Sequence, residues 1–439
     1  MNRRDFLKVT GAGATSLLTG WRVNAAERKL RHQIVGEIDT RIQKCREGVV
    51  VLRLIKPNGK PLESSATVNI EQINHAFLFG CNIFKLGRCR TPEDNANYER
   101  HFAELLNYAT LPFYWWNYER RRGQPDDART EEIVHWCKAH NVTTKGHPLA
   151  WNRTEPQWLP DDSEAVMQAQ FKRIERCVQR FKNDINIWDV VNEATHYDRP
   201  QCKEQAPKLT EAVSRMGVGA YVCQAFKTAR EANSKATLII NDYRTDPAYA
   251  EKVISQLVNE NNQPLYDVIG IQSHMHRNYW GAQQTWDVCE RFAKFGKPLH
   301  FTETTIVSGP RKRQGWHTTP EGEKTQAEQV AEFYRVLFSH PAVEAITWWD
   351  FTDQRAWQGA PAGFVRADMT PKPAYERLKD LIKDTWWTRT EVTLQSSGKA
   401  HFQGFFGQYK VTVHSDGRKL TGSFWFDKNT KDIIDVRVA

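Results

Sequence analysis

Residues 164–182, EAVMQAQFKRIERCVQRFK, are followed after two intervening residues by INIWDVV at residues 185–191. The first segment repeats apolar side chains three and four positions apart, as at Ile174, Val178 and Phe181, which predicts an amphipathic helix. The second is a short run rich in β-branched and aromatic residues, which predicts a buried strand. A helix that leads directly into a buried strand is typical of a parallel sheet with crossover helices.

The same alternation continues from residue 77 to residue 384. Eight strand and helix pairs can be counted, and eight βα units close into a (β/α)8 TIM barrel, an α/β fold. The predicted strands are 77–81, 108–113, 142–146, 185–191, 237–241, 268–272, 299–302 and 345–349. The predicted helices lie near 96–106, 129–140, 164–182, 210–233, 247–261, 282–296, 324–339 and 372–383.

The segments on both sides of the barrel have the period of two that is typical of strands. Before the barrel, residues 49–55, an Asn58-Gly59 turn signal and residues 66–70 predict a β-hairpin. After the barrel come five short alternating runs, at 391–394, 402–406, 409–414, 420–426 and 433–438. Neither flank has enough strands for a stable sheet of its own. We therefore expect residues 27–75 and 385–439 to join in one small all-β module beside a barrel formed by residues 76–384.

Residues 1–26 have the order of an export signal. Arg3-Arg4 precedes Phe6-Leu7-Lys8, a weakly apolar stretch runs from 9 to 21, and small residues follow at 23–26. The paired arginines resemble a twin-arginine signal, which is an address read by a receptor and not an anchor. The alternative, a basic helix that begins the first domain, is disfavoured by glycines at positions 11, 13 and 20. We expect export to the periplasm or the outside of the cell.

The overall composition is that of a folded protein, with 439 residues of which 40% are hydrophobic and 26% charged. These values exclude disorder and collagen-like repeats. No apolar run approaches the roughly 18 to 20 residues that cross a bilayer, so we expect no membrane anchor. The net charge of +9 comes without a basic stripe interleaved with aromatic residues, so we expect no nucleic-acid partner. We expect a monomer.

The numbers of cysteines and tryptophans indicate which kinds of bond and binding site to expect. Eight cysteines are too few for a disulfide scaffold, and no Cys-x-x-Cys pair occurs. We expect buried free thiols, with room for one oxidised pair, and neither a metal nor a cofactor. The 16 tryptophans suggest a ligand that is met by flat apolar faces, although core packing is the commonest role of this residue.

Two glutamates stand at the ends of predicted strands, where a βα barrel builds its active site. Glu193 ends the fourth strand in WDVVNEA (188–194), and Glu303 ends the seventh in LHFTET (299–304). Two carboxyl groups across a cleft suit glycosidic cleavage, because one can protonate the leaving oxygen while the other attacks or stabilises the reacting carbon. Other strand ends supply groups suited to sugar hydroxyls and rings: His147, Trp151, Asn241, Asp242, Gln272, His274, His276, Trp349, Asp353 and Trp357.

Some of these residues have alternative interpretations. His274 and His276 could form part of a metal pair, but zinc needs further ligands that the strand ends do not supply, so we expect no metal site. Asp353 is expected to cap a helix or pair with a cation in a loop. Trp115 and Trp116 belong either to the core or to a sugar-stacking platform.

The strand ends supply, in order, the segments Gly146-His147 to Trp151, Trp188 to Glu193, Asn241-Asp242-Tyr243, Gln272-Ser273-His274, Thr302-Glu303 and Trp349 to Trp357. Through these segments the barrel resembles glycoside hydrolase family 10, the endo-1,4-β-xylanases and their relatives. The resemblance implies a retaining double displacement with Glu193 as acid/base and Glu303 as nucleophile.

The resemblance also implies roles for the residues around the two glutamates. Asn192 would bond the sugar hydroxyl next to the reacting carbon, and His274 would hold the nucleophile ionised and oriented. The glycone side of the site would be lined by His147, Gln272, Trp349 and Trp357.

This chain departs from the family pattern at three places. After the second strand it reads TLPFYWWNYE (110–119), where Pro112, Phe113 and Trp116 are expected to replace the family's Glu-Asn pair and Lys. The family's Asp two residues beyond the nucleophile is Thr305, and its Gly after the eighth-strand Trp is Asp350. We expect a catalytic pair that is kept and a distal glycone subsite that is rebuilt.

The function that the sequence favours is a retaining, endo-1,4-β-xylanase-like hydrolase that cleaves xylan-type hemicellulose, with a polysaccharide or oligosaccharide as its partner. One alternative is a carbohydrate-binding barrel with weak or no catalysis. Another is the same chemistry on a different β-glucan or β-glycoside. The small β-module could bind polysaccharide or brace the barrel.

Overall fold

The computed structural model describes residues 33–62, 66–395, 397–415, 417–430 and 433–439, so the predicted export signal lies outside the described residues. The helices are α1 Ile38–Arg46, α2 Pro92–Leu105, α3 Trp115–Tyr118, α4 Asp127–Ala139, α5 Ser163–Arg180, α6 Pro200–Gln205, α7 Pro207–Met216, α8 Val218–Ala232, α9 Pro247–Lys252, α10 Gly281–Ala293, α11 Pro320–Ser339 and α12 Pro373–Asp380. The strands are β1 Glu47–Ile55, β2 Thr67–His75, β3 Leu78–Asn82, β4 Tyr108–Pro112, β5 Thr143–His147, β6 Ile187–Asn192, β7 Thr237–Asp242, β8 Val268–Met275, β9 Leu299–Ile306, β10 Arg311–Lys312, β11 Gly315–Trp316, β12 Val343–Trp348, β13 Arg389–Thr393, β14 Lys399–Phe405, β15 Gly407–Ser415, β16 Arg418–Phe426 and β17 Ile434–Arg437.

Eight parallel strands close into a barrel, in the order β12, β3, β4, β5, β6, β7, β8, β9. Each of them overlaps one of the strands predicted from the sequence, so the (β/α)8 barrel is confirmed. All eight carboxyl ends meet at one face of the barrel, which is where residues that follow the strands come together.

Helix α5 shows why the helical segments form where they do. The side chain of Asp162 accepts a hydrogen bond from the backbone N–H of Ala165 and so caps the helix. Val166, Ile174 and Val178 are buried on one face of the helix, and this apolar stripe packs in the core cluster that covers the barrel.

One predicted helix is interrupted. The segment 210–233 forms two helices, α7 and α8, that meet at Gly217. Gly217 has a φ of 86°, a left-handed conformation that glycine adopts without steric cost and that ends a helix. The apolar periodicity continues across this break, which is why the sequence pattern predicted a single helix.

The terminal strands form a two-sheet sandwich with one shared core. One sheet has the order β14, β1, β17, and the other has the order β13, β2, β15, β16. The predicted all-β module is confirmed, but the predicted N-terminal hairpin is wrong, because β1 and β2 lie in different sheets. This division lets the apolar face of β1, with Leu52 and Leu54, and that of β2, with Val68 and Ile70, share a core.

The sandwich also contacts the barrel. Phe405 of β14 packs in the barrel's core cluster, and the His75 ring at the end of β2 contacts Phe79 of β3 at 5.3 Å. Within the described ranges, all eight cysteines are free thiols. In the part of the chain that the structure covers, no helix has both the length and the hydropathy needed to cross a membrane.

Candidate active site

Both predicted catalytic glutamates lie at the carboxyl face of the barrel. Glu303 is part of β9, and Glu193 comes directly after β6. Glu193 has φ 61° and ψ 40°, a left-handed conformation that is uncommon and strained for a side-chain-bearing residue. Its backbone N–H bonds to the carbonyl oxygen of Asn241 at 2.8 Å, which holds it in place.

A network of amide groups joins the two glutamates. The Nδ2 atom of Asn241 donates to Oδ1 of Asn192 at 2.7 Å and to Oε1 of Glu303 at 3.0 Å. The Nε2 atom of Gln272 donates to the same Oδ1 of Asn192 and to Oε1 of Glu193, both at 3.2 Å. The structure therefore brings Glu193, Glu303, Asn192 and Gln272 into one hydrogen-bonded group.

Glu303 is a buried carboxyl group between two imidazoles. Its side chain is 6% exposed, with Nε2 of His274 at 3.1 Å from Oε2 and Nε2 of His147 at 3.7 Å from Oε1. Burial raises the pKa of Glu303 to about 7, opposed by His147 and assisted by the negative charge of Glu193. The pKa of Glu303 thus depends on its burial and on nearby charges, among them those of His147 and Glu193.

His147 is positioned by a buried ion pair inside the barrel. Asp189 Oδ2 lies 2.7 Å from Nδ1 of His147 and 2.7 Å from Nζ of Lys145, and all three side chains are almost fully buried. Burial alone would raise the pKa of Asp189, but Lys145 and His147 together hold it below its usual value. Because Asp189 accepts the Nδ1 proton of His147, the ring is oriented with Nε2 toward Glu303.

Lys145 and Asp189 were not among the predicted site residues. A signal for them was available, since each is a charged residue in the middle of a strand that is otherwise buried. A charge in that position needs a partner.

Glu193 has a different set of neighbours. The indole Nε1 of Trp151 donates to its Oε2 at 3.2 Å, as does Nη2 of Arg199 at 2.5 Å. Arg199 was missed from the sequence, because it lies in a loop whose path the periodicity does not predict. Trp151 and Arg199 contact Glu193 and not Glu303, so they define the side of the site that lies beyond Glu193.

Two tryptophans pack against the imidazole rings that lie beside Glu303. The ring of Trp349 is buried and meets the rings of His147 and His274 edge-on at 5.4 and 5.9 Å. Trp357 is 43% exposed, and its ring lies 4.6 Å from that of His274. Its backbone N–H donates to Oδ2 of Asp350 at 3.0 Å, so Asp350 anchors the loop that carries Trp357.

The segment after β4 differs from the sequence-based expectation. Phe113 is buried against Trp188 and does not belong to the cleft. Tyr114 lies on the site instead, with its ring 5.5 Å from His147 and 5.8 Å from Trp151. Successive side chains of an extended segment point to opposite sides, so Phe113 packs in the core while Tyr114 faces the site.

The two neighbouring tryptophans have different environments. Trp115 is buried and donates its Nε1 proton to Glu119 at 2.9 Å, so it belongs to the core. Trp116 is 46% exposed, and Pro112 at the end of β4 is half-buried. Exposed surface is thus available for a ligand at Trp116 and not at Trp115.

The remaining candidates, Asp353 and His276, pack against other parts of the protein. Asp353 pairs with the buried Nζ of Lys372 at 2.6 Å and accepts the N–H of Gly363, which matches its predicted role in a loop. His276 packs against Trp357 at 5.1 Å. Among the described residues, no group of three or more metal-ligating side chains is found.

Comparison with known proteins points to a single family. The sequence profile described as "Glycosyl hydrolase family 10" matches residues 71–381. The chain is 24% identical over 447 residues to "Endo-1,4-beta-xylanase 1" of Arabidopsis thaliana, covering 98% of this chain and 43% of that protein. It is 27% identical over 399 residues to "Anti-sigma-I factor RsgI6" of Acetivibrio thermocellus, covering 88% of this chain and 47% of that protein.

A solved structure shows the same likeness. The crystal structure of xylanase 10B from Thermotoga petrophila RKU-1 in complex with xylobiose matches with a TM-score of 0.58 and 25% identity. The match covers 71% of this chain and 95% of that one. By contrast, this chain spans less than half the length of the two curated relatives named above.

Proposed function

We propose that this chain, which belongs to glycosyl hydrolase family 10, is a retaining β-glycoside hydrolase of the endo-1,4-β-xylanase type. The observation that carries the proposal is the amide network that links Glu193 to Glu303 through Asn192, Asn241 and Gln272. It places one carboxyl group in a buried, imidazole-flanked position and the other beside the donors of a more open side of the cleft.

In the first step Glu303 is the nucleophile. One of its oxygens forms a bond to the anomeric carbon while the bond between that carbon and the glycosidic oxygen breaks, and Glu193 gives a proton to the departing oxygen. His274 and His147 orient the attacking carboxylate. Asn192 bonds the sugar hydroxyl beside the reacting carbon.

In the second step a water molecule replaces the leaving group. Glu193, now ionised, takes a proton from the water as its oxygen attacks the anomeric carbon, and Glu303 departs as a carboxylate. Two inversions at the same carbon give net retention. The mechanism predicts carboxyl groups about 5–5.5 Å apart.

The substrate class rests on the relatives. Proteins named as endo-1,4-β-xylanases match the chain, and one matching structure holds xylobiose. The exposed indole of Trp357 and the partly exposed indole of Trp151 offer faces on which sugar rings can stack. Tyr114 and Trp116 occupy the region that departs from the family pattern, so we propose xylan-type chains that are substituted or shorter than plain xylan.

A carbohydrate-binding barrel without effective catalysis is the second candidate. The ion pair between Arg199 and Glu193 at 2.5 Å favours it, because this contact occupies an oxygen that the acid would use. Saccharide binding without any hydrolysis by the wild-type protein would support this candidate.

The deciding experiment is a product assay on a panel of defined oligosaccharides with β-1,4-xylosyl, β-1,4-glucosyl, β-1,3-glucosyl and β-1,4-mannosyl linkages. We expect hydrolysis of the xylosyl series, with the β-anomer appearing first in an NMR time course. Initial release of the α-anomer would overturn retention. Cleavage of another series alone would overturn the substrate class, and binding without cleavage would favour the second candidate.

A further inference from the structure

Arg199 lies in the loop between β6 and α6 and reaches back to Glu193. Its Nη2 atom is 2.5 Å from Oε2 of Glu193 and 3.6 Å from Sγ of Cys202, and its guanidinium carbon lies 5.2 Å from the ring centre of Tyr243. The side chains of Arg199 and Glu193 are 14% and 12% exposed. The ion pair is therefore largely shielded from bulk water.

This arrangement surrounds the carboxyl group of Glu193 with hydrogen-bond donors. A guanidinium has only donors and an indole has only one donor, so Oε2 can face Arg199 and Trp151 only as an acceptor. The other oxygen, Oε1, accepts from the amide of Gln272. An acid has to present a proton to the leaving oxygen, and the contact with Arg199 must be released before Oε2 can do so.

Arg199 also has unused binding capacity. Its Nε atom is buried and, in the described ranges, has no hydrogen-bond partner. Nε and Nη2 form one edge of the guanidinium, which binds a carboxylate through two parallel hydrogen bonds. Of the two donors on that edge, only Nη2 bonds to Glu193, and Nε remains free to bind a second oxygen.

A second guanidinium lies on the adjoining loop. Arg153 bonds to the side-chain amide of Gln205, and it forms no ion pair with any described residue. The two loops are joined by the hydrogen bond from Nδ2 of Asn152 to the carbonyl oxygen of Tyr197 at 2.6 Å. The side of the cleft beyond Glu193 therefore carries two guanidinium groups, of which only Arg199 contacts a carboxylate of the described residues.

Two other carboxylates lie close to this region without pairing with Arg199. Asp242 accepts the backbone N–H groups of Thr195 and Arg244, at 2.9 and 3.0 Å. Asp198, the neighbour of Arg199 in sequence, forms no ion pair with it in the part of the chain that is described. Glu193 is thus the carboxylate that an incoming anion would replace.

We propose that Arg199 binds a carboxylate carried by the sugar on the leaving side of the scissile bond. This exchange releases Glu193 to act as the acid. The substrate class is an acidic β-1,4-linked saccharide with a uronic acid group on the departing part. The inference rests on the proposed function and narrows its substrate.

The test compares three xylo-oligosaccharides of equal length: one neutral, one with a uronic acid on the leaving-side sugar, and one with it on the retained sugar. For the wild type we expect kcat/KM to be at least tenfold higher for the leaving-side uronate than for the neutral chain, and no gain for the retained-side uronate. The gain should shrink as sodium chloride is added, since it depends on a charge pair.

Arg199→Gln should remove the gain, and Arg199→Lys should keep part of it. The matched control is Arg215→Gln, which deletes a guanidinium that pairs with Glu211 on the exposed surface of α7 and should leave the ratio unchanged. Thermal unfolding of each variant checks that it is folded.

The outcomes separate this inference from the proposed function. Equal kcat/KM for neutral and leaving-side acidic chains, with no effect of Arg199→Gln on the ratio, would overturn the role of Arg199 and leave the hydrolase intact. Hydrolysis of none of the three chains would overturn the proposed function. In that case calorimetric titration still tests whether Arg199 binds the uronate. Equal affinity of the wild type and Arg199→Gln for the leaving-side acidic chain would overturn that role.

Discussion

Thr305 Oγ1 lies 2.9 Å from Nδ1 of His274, while Nε2 of the same ring lies 3.1 Å from Glu303. Burial lowers the pKa of His274 to about 4, so the ring is neutral at neutral pH and carries one proton. The arrangement that satisfies both contacts has Nε2–H donating to ionised Glu303 and Nδ1 accepting from the threonine hydroxyl. The ionised carboxyl group of Glu303 can only accept, so it fixes this tautomer, and the Thr305 hydroxyl supports it by donating to Nδ1.

The first prediction concerns the acid limb of the pH profile. As the proposed nucleophile Glu303 must be ionised to attack, and burial raises its pKa to about 7. We expect kcat/KM to fall as the pH decreases through about 7, because the protonated nucleophile is inactive. Initial rates at low substrate concentration between pH 4 and pH 9 measure this. A limb centred below pH 5 would contradict the expectation.

The second prediction uses Thr305. In Thr305→Asp a carboxylate would face Nδ1 of His274 and favour the imidazolium, whose positive charge beside Glu303 lowers the pKa of that carboxyl group. The acid limb should move to lower pH by about one unit or more. Thr305→Val removes the hydroxyl without adding charge and should show no such shift. His276, with its ring 5.8 Å from His274, is unchanged in both variants.

The third prediction separates the roles of the two glutamates. Glu303→Gln should abolish turnover of every substrate, since no nucleophile remains. Glu193→Ala should lose most activity on oligosaccharides but keep partial activity on aryl glycosides, whose leaving groups need no proton. Parallel assays on a xylo-oligosaccharide and an aryl xyloside make the comparison. Equal and total loss in both variants on both substrates would contradict the assignment.

The fourth prediction concerns stability and pH. The pKa of Glu303 in the folded protein, about 7, exceeds its ordinary value of 4.5. The stability that its proton contributes is complete below about pH 4.5 and is lost as the pH rises through 7. Glu303→Gln stays neutral, so it should exceed the wild type by on the order of 3 kcal/mol at pH 8 and by little at pH 4.5. Melting temperatures at both pH values test this, with Glu376→Gln on the exposed surface as control.

The fifth prediction concerns the buried ion pair beneath the site. Lys145→Met leaves Asp189 without its cation in a fully buried position, and breaking such a pair costs about 3–5 kcal/mol of unfolding free energy. Adding Asp189→Asn to this variant should recover part of the loss. Lys379→Met breaks a pair with Glu104 that is more than a third exposed and should cost less than about 1 kcal/mol. Urea denaturation measures the free energy of unfolding of the three variants. A loss below about 1 kcal/mol for Lys145→Met would contradict a stabilising role of the pair between Lys145 and Asp189.

The barrel and its two glutamates could be predicted from the sequence because both depend on local periodicity and on one general rule. The alternation of strands and helices gives the fold, and the ends of parallel strands give the positions of Glu193 and Glu303. The predicted hairpin was wrong because the partner of a strand is chosen by contacts far along the chain. β1 pairs with β14 and β17 rather than with the next strand.

The residues that sequence reasoning missed are of two kinds. Arg199 lies in an irregular loop, and its return to Glu193 depends on a backbone path that no periodic pattern records. Lys145 and Asp189 could have been found, since an unpaired charge within a buried strand is costly. Tyr114 was overlooked because its two neighbours, Phe113 and Trp115, are the more apolar residues, yet both face the core.

The interleaving of the terminal strands has a consequence for how the chain reaches its native state. During synthesis β1 emerges long before β14 and β17, and the side chains of Glu47 and Gln403, which bond across β1 and β14, are 356 positions apart. Pairings of such long sequence separation form slowly, because the intervening chain must be closed into a loop first. The sandwich thus closes only after the barrel segment has been made, and it ties the two ends of that segment together in the finished molecule.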